Sequence, residues 1–242
     1  MANSKKDIKE TGVNNVAEIH NASAWNKIGI DAKDAGNYTF AIDAFTKSIK
    51  LNTHEADIYY CRGEAYSKIN NYSKAIKDFD KSIELDPDNV YAYFYRGVAY
   101  SKLGTLNKAI ENYSKTIELN PEIAFSYNKR GIAYDKLGEH QNAIEDYSQA
   151  IRLKPEYVEA FYNRALAYSN LHQYPLAIED FKRVITLKPD HADAFRYRGV
   201  VYFIQGKDIL GYSDAKKAAA LGNCELLEWI KNSWKPFIQN VQ

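Results

Sequence analysis

Five arginines stand 34 residues apart: Arg62, Arg96, Arg130, Arg164 and Arg198. Sixteen residues beyond four of them lie Asp78, Asp146, Asp180 and Asp214, while Arg96 has Asn112 at that distance. A guanidinium and a carboxylate can join through two parallel, charge-assisted hydrogen bonds. Such arginines could hold an acidic ligand, or they could staple the chain to itself. They flank apolar positions that recur at the same interval, so they should be at least half buried, and a buried guanidinium needs a partner. The structural reading is preferred: a ladder Arg62–Asp78, Arg130–Asp146, Arg164–Asp180, Arg198–Asp214. The first period lacks both members, having Ile28 and Ala44.

Catalytic and metal chemistry find less support. The five histidines are His20, His54, His140, His172 and His191, and none sits four residues from another histidine or a cysteine. Cys61 and Cys224 lie far apart. No phosphate-binding loop, dinucleotide turn or nucleophile elbow is present. No metal, cofactor or catalytic residue is therefore expected, and the chain reads as a non-enzyme.

The interval of the arginines governs the whole chain. Pro87, Pro121, Pro155 and Pro189 repeat it, and the sequence divides without insertion into blocks 22–55, 56–89, 90–123, 124–157, 158–191 and 192–225. The fourth column of these blocks is aromatic: Trp25, Tyr59, Tyr93, Tyr127, Phe161, Phe195. The eighth is small, glycine in every block but the fifth, which has Ala165. The eleventh is Ala32 and then five tyrosines, which accounts for part of the total of 20. The twentieth is small again (Ala41 to Gly211), and the twenty-fourth is Phe45, Phe79, Tyr113, Tyr147, Phe181, Ala215. Steps of three and four place these positions on one face of a helix. Each block therefore holds two amphipathic helices, A and B, with a turn between them, and in the second to fifth blocks a proline ends B, where the first has Thr53 and the sixth Asn223. Small residues let A and B approach, and large ones fill the space around the crossing. One pair cannot bury both faces, so neighbours must stack.

Trp/Tyr, Gly, Tyr, Ala, Phe/Tyr and Pro in this register resemble the tetratricopeptide repeat family. The resemblance spans 22–225 and implies an all-α, right-handed superhelical solenoid of six helix-turn-helix units whose A helices line a concave groove. Residues 1–21 form a polar segment, expected to be partly mobile. Residues 226–242 supply a capping helix over 226–235, seated on Ala218–Ala220, and a tail.

In the family, columns two, five, six and nine of helix A face the groove. Here the first three of these, over the second to sixth blocks, include Tyr60, Tyr91, Phe94, Tyr95, Phe125, Asn128, Lys129, Tyr162, Asn163, Arg196 and Tyr197. Aromatics with polar tips beside amides and cations suit a peptide groove. Val98, Ile132, Leu166 and Val200, in column nine, are assigned to packing between A helices. Some family members clamp paired carboxylates with Lys and Asn on successive A helices. Asn163 has the type of the middle Asn, but Ile132, Asp193 and Tyr197 stand where other clamp residues would be needed, so that clamp is absent.

Lys plus Arg number 32 against 31 Asp plus Glu, a net charge of +1. That balance argues against a nucleic-acid binder, which needs a concentrated basic surface. No apolar run is long enough to span a membrane. Two cysteines are too few for a disulfide framework and favour a reducing, cytoplasmic setting. The expected function is protein or peptide binding by an adaptor or assembly scaffold. The alternative is self-association through the groove or through the Trp229/Trp234 cap.

Overall fold

The computed structural model describes residues 21–52 and 54–233. Sequence expectations for residues 1–20 and for 234–242 lie outside the described residues. Those residues form thirteen α-helices and no strand. The chain divides into two compact units, Met1–Gly104 and Thr105–Gln242; the boundary falls in the turn of the third block.

The first unit contains α1 (Ala22–Asp34), α2 (Tyr38–Leu51), α3 (Ala56–Lys68), α4 (Tyr72–Leu85) and α5 (Val90–Lys102), each packed on its predecessor. The second contains α6 (Leu106–Leu119), α7 (Ala124–Lys136), α8 (His140–Leu153), α9 (Val158–Asn170), α10 (Tyr174–Leu187), α11 (Ala192–Ile204), α12 (Asp208–Ala220) and α13 (Glu225–Ser233), again in consecutive contact. Every A helix occupies columns 1–13 of its block. Every B helix starts at column 17, and α4, α6, α8 and α10 stop two residues before the proline, where the backbone turns extended. Within each unit this is an all-α helical-repeat solenoid.

The close approach of A to B has a steric basis. A Cβ on Gly29 would lie 2.5 Å from Phe45 Cε1, one on Gly63 2.7 Å from Phe79 Cε1, and one on Gly131 2.8 Å from Tyr147 Cε1. Phe45, Phe79 and Tyr147 are correspondingly buried. The A-to-B turn needs a left-handed residue at column fifteen. Glycine supplies it at Gly36, Gly104, Gly138 and Gly206, while Asn70 and His172 adopt φ of 60° and 58° there. Asn37 and Asn71 then cap α2 and α4 by accepting from Phe40 and Lys74 backbone N–H, each at 3.3 Å.

The end helix α13 packs on α12 and α11. Leu226 and Ile230 are buried against Tyr212 and Ala215, with Val200 and Phe203 alongside. The opening is made by two small residues. A Cβ on Gly199 would lie 2.9 Å from Leu226 Cδ2, and Ala215 stands where other B helices carry Phe or Tyr.

Candidate functional site

The arginine positions form a repeated three-way junction. Arg62 Nε and Nη2 donate to Asp78 at 2.8 and 2.7 Å. Arg130 reaches Asp146 at the same two distances. Arg164 reaches Asp180 at 2.8 Å twice, and Arg198 reaches Asp214 at 2.7 and 2.8 Å. The aspartates are buried. Burial works against the charge on Arg62, Arg164 and Arg198, and the aspartate hydrogen bond and attraction more than offset it. On the carboxylate side burial pushes Asp146 and Asp180 up, and the paired guanidinium pulls them back. Column-four and column-eleven rings flank the planar cation. Arg130 lies 5.9 Å from both Tyr127 and Tyr134, and Arg164 lies 5.6 and 5.7 Å from Phe161 and Tyr168. The recurring tyrosines therefore serve the junction as well as the core.

One partner escaped the sequence reading. A prong of Arg62, Arg96, Arg130 and Arg164 turns to the preceding block, sixteen residues back. Arg62 Nη1 donates to Thr46 Oγ1 at 3.0 Å, Arg130 to Ser114 Oγ at 2.8 Å, and Arg164 to Ser148 Oγ at 2.9 Å. At that column Arg96 meets Asp80, at 2.6 Å, and so gains a carboxylate although Asn112 replaces the aspartate of its own block. Sixteen residues before Arg198 the fifth block has Lys182, a cation that accepts no such bond, and Arg198 relies on Asp214. The same offset, counted backwards, was the available signal.

Several of the residues expected from sequence to face a groove form two aromatic wedges, one in each unit. In the first, Tyr60 of α3 and Tyr95 of α5 lie 6.0 Å apart over Phe79, with Phe94 edge-on to Tyr95 at 5.3 Å. Tyr91 is 62% exposed. Burial pushes the Tyr60 hydroxyl up, and Glu64 beside it adds to this. Glu64 in turn is held by Lys33 Nζ at 2.7 Å. Glu64 stands at column nine, where the other blocks have an aliphatic residue, and Lys33 was not singled out in the sequence. In the second unit Tyr162 of α9 and Tyr197 of α11 lie 6.1 Å apart over Phe181, and His191 packs on Tyr162 at 4.9 Å. Arg196 covers the Tyr197 ring at 4.0 Å and pairs with Glu225 of α13 at 3.1 Å.

Between α7 and α9 the same diagonal is occupied by amides. Asn163 donates to Asn128 Oδ1 at 3.3 Å, and Asn128 donates to the Tyr157 hydroxyl at 3.1 Å. Asn128, assigned from sequence to the groove surface, is only 2% exposed. Its amide is spent inside the fold, because Tyr157 from the end of its own block closes over it. Phe125 remains 48% exposed, with Tyr157 at 5.2 Å and Lys154 Nζ 5.1 Å from its ring. Lys129 is exposed. Among the described residues no cluster of His, Cys, Asp or Glu could hold a metal ion, and no helix is long and apolar enough to cross a membrane.

Paired helices in a fixed 34-residue register, packed neighbour on neighbour, define a helical-repeat interaction scaffold. Family patterns described as tetratricopeptide repeat match residues 56–89, 158–191 and 79–111, and one described as TPR repeat matches 133–172. The chain is 30% identical to a crystal structure of MamA, with a TM-score of 0.65, over 69% of this chain and 97% of that one. It is 25% identical to YrrB, described as a TPR protein with an unusual peptide-binding site, with a TM-score of 0.69 over 79% and 99% of the two chains. A tetratricopeptide repeat protein from Parabacteroides merdae ATCC 43184 shares the fold at 18% identity, with a TM-score of 0.71 over 82% and 79% of the chains. No curated protein sequence matches. The chain belongs to the tetratricopeptide repeat family, and as a member it is a protein-interaction module.

Proposed function

We propose that the chain is a non-enzymatic adaptor that binds a protein or peptide segment on the A-helix faces. In the first unit the binding side chains are Tyr60, Tyr91, Phe94 and Tyr95; in the second they are Phe125, Lys129, Tyr162, Asn163, Arg196 and Tyr197. The observation that carries this reading is the pair of aromatic wedges, each held from behind by a buried Phe and each edged by polar groups. Rigid aromatics with polar tips bury much area at small entropic cost. The ladder arginines are satisfied internally and are assigned to stability. The two free thiols, Cys61 and Cys224, favour a cytoplasmic setting.

The test is capture of partners from native lysate by the wild-type chain and by a Tyr91→Ala/Phe94→Ala/Phe125→Ala variant of unchanged helicity. Loss of a captured partner in the variant is the expected result. A partner retained equally by both moves binding off these faces. No partner, with a concentration-dependent mass in light scattering, favours self-association.

A further inference from the structure

The fifth and sixth blocks depart from the earlier ones where helix B begins. In the second to fourth blocks the second and third residues of that helix are polar: Ser73–Lys74, Asn107–Lys108 and Gln141–Asn142. In the fifth and sixth they are Pro175–Leu176 and Ile209–Leu210. Leu176 and Leu210 are each 49% exposed, and Ile209 is 72% exposed. Single exposed aliphatics are ordinary, but these adjoin a cleft. The cleft, of about 360 Å³, lies between α10 and α12. Buried Ile178 and Tyr202 floor it, Pro175 and Leu210 wall it, and Lys182 and Lys207 line it as well. Among the described residues no Asp or Glu lines it.

Both lysines stand against a local rule. Lys182 occupies column twenty-five, where Thr46, Asp80, Ser114 and Ser148 each bond the arginine of the next block, so Arg198 forgoes that partner. Lys207 is the N-cap of α12 and makes no side-chain cap bond. A cation there opposes the positive end of the helix dipole. The earlier B helices have Asn37, Asn71, Thr105, Glu139 and Gln173 at that position. Lys207 Nζ donates to Gln205 Oε1 at 2.8 Å, on the rim of the same cleft. Two cations that serve neither cap nor ladder meet on one apolar cleft, and such departures from local rules belong to function. We infer that this cleft docks an acidic, aliphatic segment of a partner protein. An aliphatic side chain enters between Pro175 and Leu210, above Ile178, and flanking carboxylates pair with Lys182 and Lys207. Charge complementarity selects Asp or Glu beside the apolar residue. The cleft uses none of the A-helix side chains assigned above to binding, so it is a second docking point.

The test is an array of short synthetic peptides in which Asp or Glu alternates with Leu, Ile, Val or Ala, probed with the full chain. Peptides that are held are then titrated by fluorescence anisotropy. The variants are Lys182→Ser/Lys207→Gln and Leu210→Asn, which install residues found at the same columns of earlier blocks. Each should weaken binding by about tenfold or more, and amide versions of the peptides should bind no better. Lys182→Ser offers Arg198 a hydroxyl and should leave Tm no lower, so loss of binding is not loss of fold. The Tyr91→Ala/Phe94→Ala/Phe125→Ala variant should bind the peptides as the wild type does. Failure of the whole array, or equal affinity in the wild type and the cleft variants, overturns the inference. Loss of binding in the A-helix variant alone moves the acidic segment to the wedges and overturns it too. Sedimentation with phosphatidylglycerol vesicles in place of peptide binding assigns the patch to an anionic lipid surface. A concentration-dependent mass abolished by Lys182→Ser/Lys207→Gln, with no peptide held, assigns it to a second copy. Either result overturns the inference.

Discussion

Arg130 is held by two bonds to Asp146, one to Ser114 and two rings, and each contact uses a different property of the guanidinium. Its planarity allows the bidentate pair and the ring contacts together, which an ammonium cannot reproduce. Arg130→Ala leaves Asp146 buried without a counter-ion and should cost about 3–5 kcal/mol in a denaturant titration. Arg130→Lys should recover only part of this. A neutral outcome for Arg130→Ala would remove the ladder from the stability of the fold. Cys61 offers a second check at this scale. Burial pushes its thiol up to about 11 from 9.0, despite the lowering influence of Lys33. At pH 8 it should carry about a hundredfold less thiolate than an ordinary cysteine. Iodoacetamide should therefore label the exposed Cys224 well before Cys61, as read by peptide mass spectrometry. Since the neutral thiol is favoured by the fold, its contribution to stability is complete below pH 9 and fades as pH rises through about 11.

At the scale of the element, the A-to-B turn is a repeated solution with one costly member. His172 adopts the left-handed conformation that glycine supplies in four of the other blocks. A side chain there costs on the order of 1 kcal/mol, though histidine is among the more tolerant residues. His172→Gly should raise stability by somewhat less than that, because it gives up the His172–Tyr174 contact at 2.7 Å. A drop in Tm would show that this contact outweighs the backbone relief. The helix crossing is graded in a similar way. A Cβ at Gly131 would press on Tyr147 and, at 3.2 Å, on the Ala143 carbonyl. Ala165, fully buried at the same column in one cluster with Phe181, shows that a methyl can be accommodated at this crossing. Gly131→Ala should thus cost only about 1 kcal/mol, whereas Gly131→Leu should prevent the α7–α8 pair from closing.

At the scale of the whole molecule, stability is a sum of neighbour contacts. Each helix of a unit packs on the one before and the one after, and few contacts reach further. Such an array opens from its ends. Within the second unit, amide hydrogen exchange should be slowest in α8 to α10, which have partners on both sides, and fastest in α13. Uniform protection across the unit would indicate a single cooperative block instead. Because the internal polar groups are mostly satisfied within and between adjacent blocks, exposed A-helix side chains such as Tyr91, Phe125 and Lys129 can vary at little cost to the fold. That separation is the physical basis for proposing that the wedges bind a partner while the ladder serves stability.

The helices, their order and their turns were legible in the sequence because a 34-residue period repeats small and large residues at helical spacing, and local sterics then leave little choice. The pairing of Arg62, Arg130, Arg164 and Arg198 with aspartates in their own blocks was legible for the same reason: both partners recur in register. The hydroxyls of Thr46, Ser114 and Ser148, and the Arg96–Asp80 pair, came only from the structure. They join side chains of different blocks, and the stacking offset between blocks is set by packing rather than by the period. Tertiary structure likewise decided that Asn128 is buried under Tyr157, and that α13 leaves an apolar cleft beside Ile204. The period of a sequence specifies which face a residue occupies. How far a neighbouring block slides across that face, and so which residue is covered, depends on side-chain volumes meeting in three dimensions.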